Sequence, residues 1–543
     1  MGKTRVDLAL LLPPWALLLW HARRFDFLCD DAFIALRYAR SWAETGAPVY
    51  NPGERVEGFT SFLFMGLVAG LTRLGFTPPG AARALGVASS LLFLGASLSL
   101  LRAALGRRSP VTELTFLLLL AFSAPVAAWS LGGLETPLFA ALAALGLALS
   151  IHEPSSVGKF HISRHDPQAL GAGLVLGAAT LARPEGGLFL AGAVVAGALA
   201  WRGPGCWRRL GALGLGYAAV MVPFEGWRWW YYGAPLPNTF YVKSTGDAGA
   251  LWARGVGYGE LALRELNPAL VALGGLGLAA PGGGAGLWAL RLIVLLGALY
   301  VLRIGGDFLD LYRFFVPLWP LVLVGVVRCQ DALRGRLAAK VGDARAAVFV
   351  LTLGAGAAVG HGWHQHQVGR RAMQVAEPER AARHIEPLGW TREYALRWAA
   401  VGRWMAEVAR PGDTMAVGAA GAMPYFARMP SLDLFGLCDA YIARHGVQIG
   451  TRPGHQRYAP RWYILERQPT FLVLEPEAVG PGSSALGVDP VWNPRGWVWA
   501  ELRTDPSRHG HVRPLSLRFL LRRDRAMTLA GAPGLRIAED NPR

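Results

Sequence analysis

The chain has 543 residues, 53% of them hydrophobic, and a formal net charge of +17. Nucleic-acid binding is excluded as the meaning of that charge, because the cations sit in short loops between apolar runs: Arg107-Arg108, Arg202 with Arg208-Arg209, and Arg328, Arg334, Arg336 and Lys340. That distribution fits the positive-inside rule and contact with anionic membrane lipids, while four scattered cysteines without CxxC spacing exclude a disulfide framework or a cysteine metal cluster.

Apolar runs of membrane length recur from residue 7 to residue 361. Backbone crosses lipid only as a helix or a closed barrel, and a helical span takes roughly 20 residues. Runs such as LTFLLLLAFSAPVAAW (114–129) and FFVPLWPLVLVGVV (314–327) lack period-2 alternation, so helices are expected. Predicted spans lie near 7–21, 60–76, 81–105, 111–129, 134–150, 169–181, 186–201, 207–224, 267–281, 286–303, 311–328 and 344–361. Several are short, so the reading is a multi-pass α-helical membrane protein with about 10–12 spans. The first run follows Lys3 and Arg5 but lacks an evident small-residue cleavage site, so it is read as an uncleaved helix.

Just beyond it lies RRFDFLCDDAFIALRYARSWAETGAPVYNPGERVEGFTSFLF (23–64). Asp30 and Asp31 stand at the start of an amphipathic stretch, DAFIALRYARSWAETG, expected to lie on the membrane interface. Ionisable groups at a membrane are costly and tend to be functional. One acid of such a pair can act as a base while the other positions it. The plainer reading is a pair of helix-capping acids. Glu57 follows in GERVEGFT, at the rim of the next span.

Further polar clusters interrupt the apolar half. GGLE (132–135) carries Glu135, and RPEG (183–186) carries Arg183 and Glu185, either a phosphate clamp or a structural ion pair. WWYYGAPLPNTFYVKS (229–244) combines interfacial aromatics with Asn238, Tyr241 and Lys243, which suit a lipid-phosphate head group. GGDFLDLYRF (305–314) places Asp307 behind two glycines and Arg313 at the next span. HGWHQH (361–366) is read as head-group or solvent contact rather than a metal site. The basic segment 328–343 marks the cytoplasmic side, which puts these clusters together on the far face. Strict alternation nevertheless places Asp30-Asp31 in the cytoplasm, against the basic N-terminus. The Asp30-Asp31 segment is kept external, so one early segment is expected to be re-entrant, fused with its neighbour, or lying on the surface.

Beyond residue 361 the composition turns polar. TMAVGAAGAMPYF (414–426) and TFLVLEP (470–476) read as strands, and EYALRWAAVGRWMAEVA (393–409) as a helix. The expected organisation is a transmembrane domain, 1–361, with a first external loop at 22–60, and a soluble extracytoplasmic α/β domain, 362–543. VGAAG is a tight strand-to-helix turn without a phosphate-binding signature.

The segments CDDAFIALRYARSWAETGAPVYNPGERVEGFTSFLF, WSLGGLETPLF, ARPEG, YYGAPLPNTFYVK, GGDFLDLYRFFVP, AAGAMPYF, LDLFGLCD and GHQRY resemble the GT-C superfamily of polytopic glycosyltransferases. Within it, the similarity is to terminal β-(1→2)-arabinofuranosyltransferases of mycobacteria and their bacterial relatives. The resemblance implies transfer of a sugar, arabinofuranose in mycobacteria, from a polyprenyl-phosphate donor to a cell-envelope glycan or glycolipid acceptor, with inversion. It places the reaction on the external face of the cytoplasmic (inner) membrane. It puts the catalytic base on Asp30 or Asp31, with a slight preference for Asp31, and Glu57 and Asp307 along the site. Arg183, Lys243 and Arg313 would steady the phosphate. No cofactor is demanded; a divalent cation between Asp30, Asp31 and the donor phosphate is compatible with these residues. Rival readings are a transporter or flippase of a lipid-linked sugar, disfavoured by the lack of an internal repeat, and a non-catalytic envelope or motility assembly protein.

Overall fold

A computed structural model describes residues 2–151, 166–200, 205–243, 247–282, 284–374, 385–450, 452, 454–474, 495–504 and 515–538. Helices dominate up to Ala372, and a mixed sheet with flanking helices follows. Three helices are long and apolar enough to cross a membrane by themselves: Pro78–Leu105, Gly286–Arg303 and Asp343–Ala372. Two bent pairs reach that length if each is one broken span, and further apolar helices such as Thr136–Ile151 and Pro167–Ala182 are shorter. Helices approach closely where glycine faces backbone. A Cβ on Gly173 would lie 2.1 Å from the Leu213 carbonyl, and one on Gly216 would lie 2.1 Å from the Leu170 carbonyl. Small residues at such crossings are the membrane-protein way of packing helices without a hydrophobic drive between them.

The structure departs from the expected elements in five places. The span expected at 111–129 is two helices, Pro110–Ala121 and Ala124–Leu131, meeting at 60°. Pro125 explains the break, since proline cannot donate the amide that a continuous helix needs and suits a helix's first turn. The presumed long loop 226–266 is mostly helical. Gly205–Tyr232 runs into it, and Ala248–Glu265 joins Pro268–Ala279 at 99° through Asn267, whose φ is 79°. The span expected at 311–328 starts later, as Trp319–Val341, and absorbs most of the basic segment read as a loop. Of that basic set, Arg202 lies outside the described residues.

The HGWHQH motif is the fourth correction. It lies inside helix Asp343–Ala372, so the boundary expected at 361 falls within a helix. His364 and Gln365 serve the two breaks. Gln365 accepts the Ala124 amide at 2.9 Å and donates to the Glu265 carbonyl at 2.6 Å. His364 also contacts the Glu265 carbonyl, at 3.1 Å, and His361 is buried. A break inside an apolar bundle frees backbone groups that must find partners, and this motif supplies them. Trp363 is exposed, and His366 lies beside Arg24.

In the C-terminal part the sheet order is β2-β1-β5-β7-β6-β8: β1 Met415–Val417, β2 Ser431–Asp433, β5 Phe471–Val473, β6 Trp497–Thr504, β7 Leu515–Arg522 and β8 Leu535–Ala538. β1 pairs in parallel with both β2 and β5, and the remaining pairs are antiparallel. A separate two-stranded ribbon joins β3 Val447–Gln448 to β4 Arg457–Tyr458. Side chains alternate between faces, as pleating requires. Phe471, Val473, Phe519 and Leu521 pack with Trp398 and Trp404 of helix Leu388–Val408. Leu472 and Leu520 pack on the other face with Ile442 and Tyr463. The predicted strand TFLVLEP is seen as Phe471–Val473, and its last two residues, 475–476, lie outside the described residues.

The fifth difference concerns helix Asp30–Thr45. Its Phe33, Ile34, Leu36 and Tyr38 share a core with Met423, Tyr425, Trp398 and Trp404, so its apolar face is covered by protein. Arg37 is buried and donates to the carbonyls of Tyr50, Pro424 and Met429 at 2.8, 2.6 and 2.8 Å. Each donated bond satisfies a carbonyl that burial would otherwise leave unpaired.

Candidate functional site at the junction of the two parts

Asp30 and Asp31 begin a helix whose preceding residue, Cys29, makes no side-chain cap, so two acids at the positive end of the helix dipole are favourable. Their side chains then diverge. Asp30 accepts the Gly421 amide at 3.1 Å and the Ala422 amide at 2.8 Å, capping helix Ala422–Ala427 after β1. Gly421 fits the approach, because a Cβ there would fall 2.0 Å from the Asp30 carbonyl oxygen. The Asp31 carboxyl instead feels the charges of Arg313, Lys243 and Asp307. Burial raises its pKa above the usual aspartate value, and Arg313 and Lys243 offset only part of that.

Residues 304–318 carry the second element. Gly305 and Gly306 have φ of 82° and 68°, and Leu311 and Tyr312 have φ of 56° and 46°. The last two are uncommon for side chains of this size and mark stored strain. Neighbours hold the segment in place. Arg254 donates to the Asp307 carbonyl at 3.0 Å, Trp129 to the Leu311 carbonyl at 3.0 Å, and the Tyr312 hydroxyl to Glu265 at 2.9 Å. The C-terminal part joins in, because Asp310 donates its amide to the Glu386 carbonyl at 3.2 Å and Glu386 returns one to Phe308 at 2.6 Å. This path folds Asp307 back onto Arg313 as a buried ion pair. Burial alone would raise Asp307, but Arg313 holds its carboxyl below the usual range. Burial alone would likewise lower Arg313, and Asp307 more than reverses it.

Arg183 ends helix Pro167–Ala182 in extended conformation. It lies 3.0 Å from Glu185 and 3.4 Å from Glu135, and the Tyr300 hydroxyl donates to Glu185 at 3.3 Å. Its guanidinium sits 4.5 Å from the Phe314 ring centre, and that of Arg313 sits 5.4 Å from the same ring. Phe314 thus lies beside two cations. Both arginines border a largely apolar cleft of about 350 Å³, lined also by Phe139, Phe189, Tyr300 and Leu318.

Lys243 closes the short helix Asn238–Lys243. It is exposed, and desolvation by the surrounding protein pulls its pKa down against the pull of Asp31. Among the described residues, no carboxylate stands at ion-pair distance from it.

The structure therefore brings Asp31, Lys243, Asp307, Arg313, Arg183, Glu135 and Glu185 toward one region. It does not bring the others there. Asn238 donates to the carbonyls of Gly436, Leu437 and Asp439 at 2.9, 3.0 and 3.1 Å, so its amide binds the C-terminal part rather than facing a head group. Tyr241 lies under Arg444, 4.2 Å from ring centre to guanidinium. Glu57 lies 2.9 Å from Arg228 and is buried, which raises it to about 7. Both oxygens of the Asp30 carboxylate accept backbone amides. No group of three or more potential ligands occurs among the described residues.

A second cleft, of about 530 Å³, opens between the two parts and is bordered by Asp31. Asp30, Phe308, Asp433, Phe435, Arg452 and His455 border it. Sequence reasoning gave the residues from 433 onward no role. The runs LDLF and GHQRY that carry them have no chemical spacing, only an acid closing a short apolar strand.

Comparison with known proteins follows the same outline. Residues 384–521 match a family described as Domain of unknown function (DUF8728). The terminal β-(1→2)-arabinofuranosyltransferase of Mycobacterium tuberculosis (strain ATCC 25618 / H37Rv) is 31% identical over 268 residues, 47% of this chain and 40% of that protein. The protein of the same name from Corynebacterium glutamicum is 29% identical over 356 residues, 58% of this chain and 50% of that one. The match thus spans half or less of these relatives. Among solved structures, ArnT from Cupriavidus metallidurans bound to undecaprenyl phosphate aligns with a TM-score of 0.54 at 16% identity, over 96% of this chain and 98% of that one. The Archaeoglobus fulgidus oligosaccharyltransferase AglB, in complex with an inhibitory peptide and a dolichol-phosphate, also gives 0.54, at 10% identity over 93% and 74%. The chain has the GT-C fold of these membrane glycosyltransferases, and its sequence is similar to that of terminal β-(1→2)-arabinofuranosyltransferases.

Proposed function

We propose that this protein is an inverting glycosyltransferase that moves a sugar from a polyprenyl-phosphate donor to a cell-envelope glycan. The single observation that carries the reading is the position of Asp31. It borders an acidic, ring-lined cleft, and its carboxyl feels the charges of Arg313 and Lys243. Beyond Arg313 lies the apolar cleft with Arg183 at its edge.

The two clefts suit two substrates. A polyprenyl chain fits apolar walls, and its phosphate fits the arginines there. Lys243, unpaired among the described residues, supplies a further positive charge. The acceptor hydroxyl approaches from the other cleft and attacks the anomeric carbon. Its proton passes to Asp31 as the bond from that carbon to the phosphate oxygen breaks. The electron pair leaves with polyprenyl phosphate, whose charge the cations stabilise. Attack opposite the leaving group inverts the anomeric centre. A positioned base is typically worth about 10²–10⁴-fold in rate.

Similarity to arabinofuranosyltransferases makes arabinofuranose the first donor sugar to test. The reading places the reaction on the external face of the cytoplasmic membrane, with the C-terminal domain on that side. The deciding experiment is transfer by purified protein from a panel of polyprenyl-phosphate sugars to envelope glycans. Transfer that disappears in Asp31→Asn supports the reading. Folded protein that transfers from no donor in the panel would overturn it.

A further inference from the structure

We infer that the ends of helices Gly2–Ala22 and Asp343–Ala372 together form a site for the head group of an anionic phospholipid. Arg24, His366 and Arg370 take its phosphate, and Trp20 and Trp363 lie at the glycerol level. Such a site stands outside the transfer reaction proposed above and does not depend on it.

The sequence sets the order of the groups. Val359, Trp363, His366 and Arg370 follow one another at intervals of four, three and four along helix Asp343–Ala372. That spacing lays them in one stripe. Along it the chemistry passes from aliphatic to aromatic to imidazole to guanidinium, the order that suits a lipid from acyl chain to phosphate. The first helix repeats the order more briefly: Leu8 and Leu12 are exposed apolar residues, and Trp20 and Arg24 follow at its end. Helix Pro110–Ala121 packs against both helices. Glycine permits their close approach at this end, since a Cβ on Gly369 would lie 2.9 Å from the Phe25 ring.

Packing joins the two stripes into one row. The Arg24 guanidinium lies 4.7 Å from the Trp20 ring centre, and its Nη1 meets Nδ1 of His366. The His366 ring stacks on Trp363, with centres 6.1 Å apart and planes 24° from parallel. His366 also feels the charge of Arg370. Trp20 and Trp363 are 54% and 68% exposed. Tryptophan in that state suits the boundary between lipid and water, where an amphipathic ring meets both.

The charge of the row is unbalanced. Among the described residues, neither Arg24 nor Arg370 stands at ion-pair distance from a carboxylate. The acids nearby have other partners, Asp26 with Arg83 at 2.8 Å and Glu265 with Arg371 at 3.9 Å. Two guanidinium groups beside one imidazole repel each other, and an anion relieves that repulsion. A phosphodiester fits, because it offers only acceptors and arginine can donate to it through two N–H groups. On the sidedness proposed above, these helix ends face outward from the cytoplasm. The positive-inside rule gives basic residues no reason to gather there.

The test places full-length protein in nanodiscs of equal parts phosphatidylglycerol and phosphatidylcholine. Native mass spectrometry reads which lipid the released protein retains. Wild type should retain phosphatidylglycerol preferentially. Arg24→Gln and Arg370→Gln should each weaken that retention by about fivefold, and both together by about thirtyfold. Phosphatidylglycerol should also raise the melting temperature of wild type, and not that of the double variant, above the value in phosphatidylcholine alone. Equal retention of the two lipids by wild type would overturn the inference, and that comparison needs no variant. Equal phosphatidylglycerol retention by wild type and double variant would overturn it as well. Decaprenyl phosphate binding, measured in parallel, should be the same in both proteins. Its loss in the double variant would assign the cluster to the donor path and overturn the phospholipid site.

Discussion

The Asp30 carboxylate is seated on the backbone amides of Gly421 and Ala422, at 3.1 and 2.8 Å. Its neighbour in sequence, Asp31, makes no such bond and faces Arg313 and Lys243. Two adjacent acids therefore have separate uses. Replacing Asp31 with Asn should lower turnover by at least about 10²-fold with little change in melting temperature. Asp30→Ala leaves two amides without their acceptor and should cost about 1–3 kcal/mol of stability. Kinetics and thermal unfolding on the same two proteins check the division. Equal loss of turnover at equal melting temperature would refute it.

Gly421→Ala probes the same seat from the other side. The added Cβ would lie 2.0 Å from the Asp30 carbonyl and 2.5 Å from its carboxylate, and backbone does not yield cheaply. Overpacking of this kind costs typically about 1–3 kcal/mol. Limited proteolysis should show the C-terminal part released from the helical half more readily than in wild type.

The pH dependence follows from burial of Asp31. The base must be ionised, and burial raises its pKa above the ordinary aspartate value of about 3.9. Activity is therefore present above the raised pKa and lost as pH falls through it, so the acid limb of kcat/KM should sit higher than for an exposed aspartate. Lys243→Met removes a cation that favours ionisation and should move that limb to still higher pH. A pH–rate profile on both proteins decides the point, and a limb that moved down in the variant would contradict it.

Arg313 and Lys243 should behave differently when neutralised. Arg313→Gln leaves Asp307 buried without its ion partner, a change that costs about 3–5 kcal/mol when a buried pair is broken. Lys243 has no ion pair among the described residues, so Lys243→Gln should leave the melting temperature nearly unchanged. Polyprenyl phosphate binding should weaken in both. Calorimetry beside a lipid-binding assay separates the two effects.

Gln365→Ala tests the account of the helix breaks. It removes the partners of the Ala124 amide and one partner of the Glu265 carbonyl together. Unsatisfied buried groups cost about 1–3 kcal/mol each, so unfolding in detergent should shift to clearly lower temperature.

Much of the helical half is legible because long apolar runs demand apolar surroundings, whether protein or lipid. The breaks are not, since the run through Phe122 and Ser123 is as apolar as a continuous span, and only Pro125 hints at the interruption. Ala248–Glu265 was read as loop because Arg254, Glu260, Arg264 and Glu265 dilute its apolar face. Asp307 and Arg313 stood out as charges beside apolar runs. Their pairing depends on left-handed backbone at Leu311 and Tyr312, which no glycine announces. The contacts of Asn238 are not legible locally for another reason. Its partners lie about two hundred positions away, at 436–439, and local pattern carries no information at that distance.

The seat of Asp30 also sets an order of events during synthesis. The acid and its amides are separated by 391 and 392 positions, so helix Asp30–Thr45 emerges long before the surface that covers it. A nascent chain holding every apolar helix still lacks the wall beside Asp31. Such contacts are late by nature, because closing so long a loop precedes any gain from it. A chain cut short before Gly421 would carry the apolar cleft with its two arginines without its counterpart, and the protein completes that junction only in its final quarter.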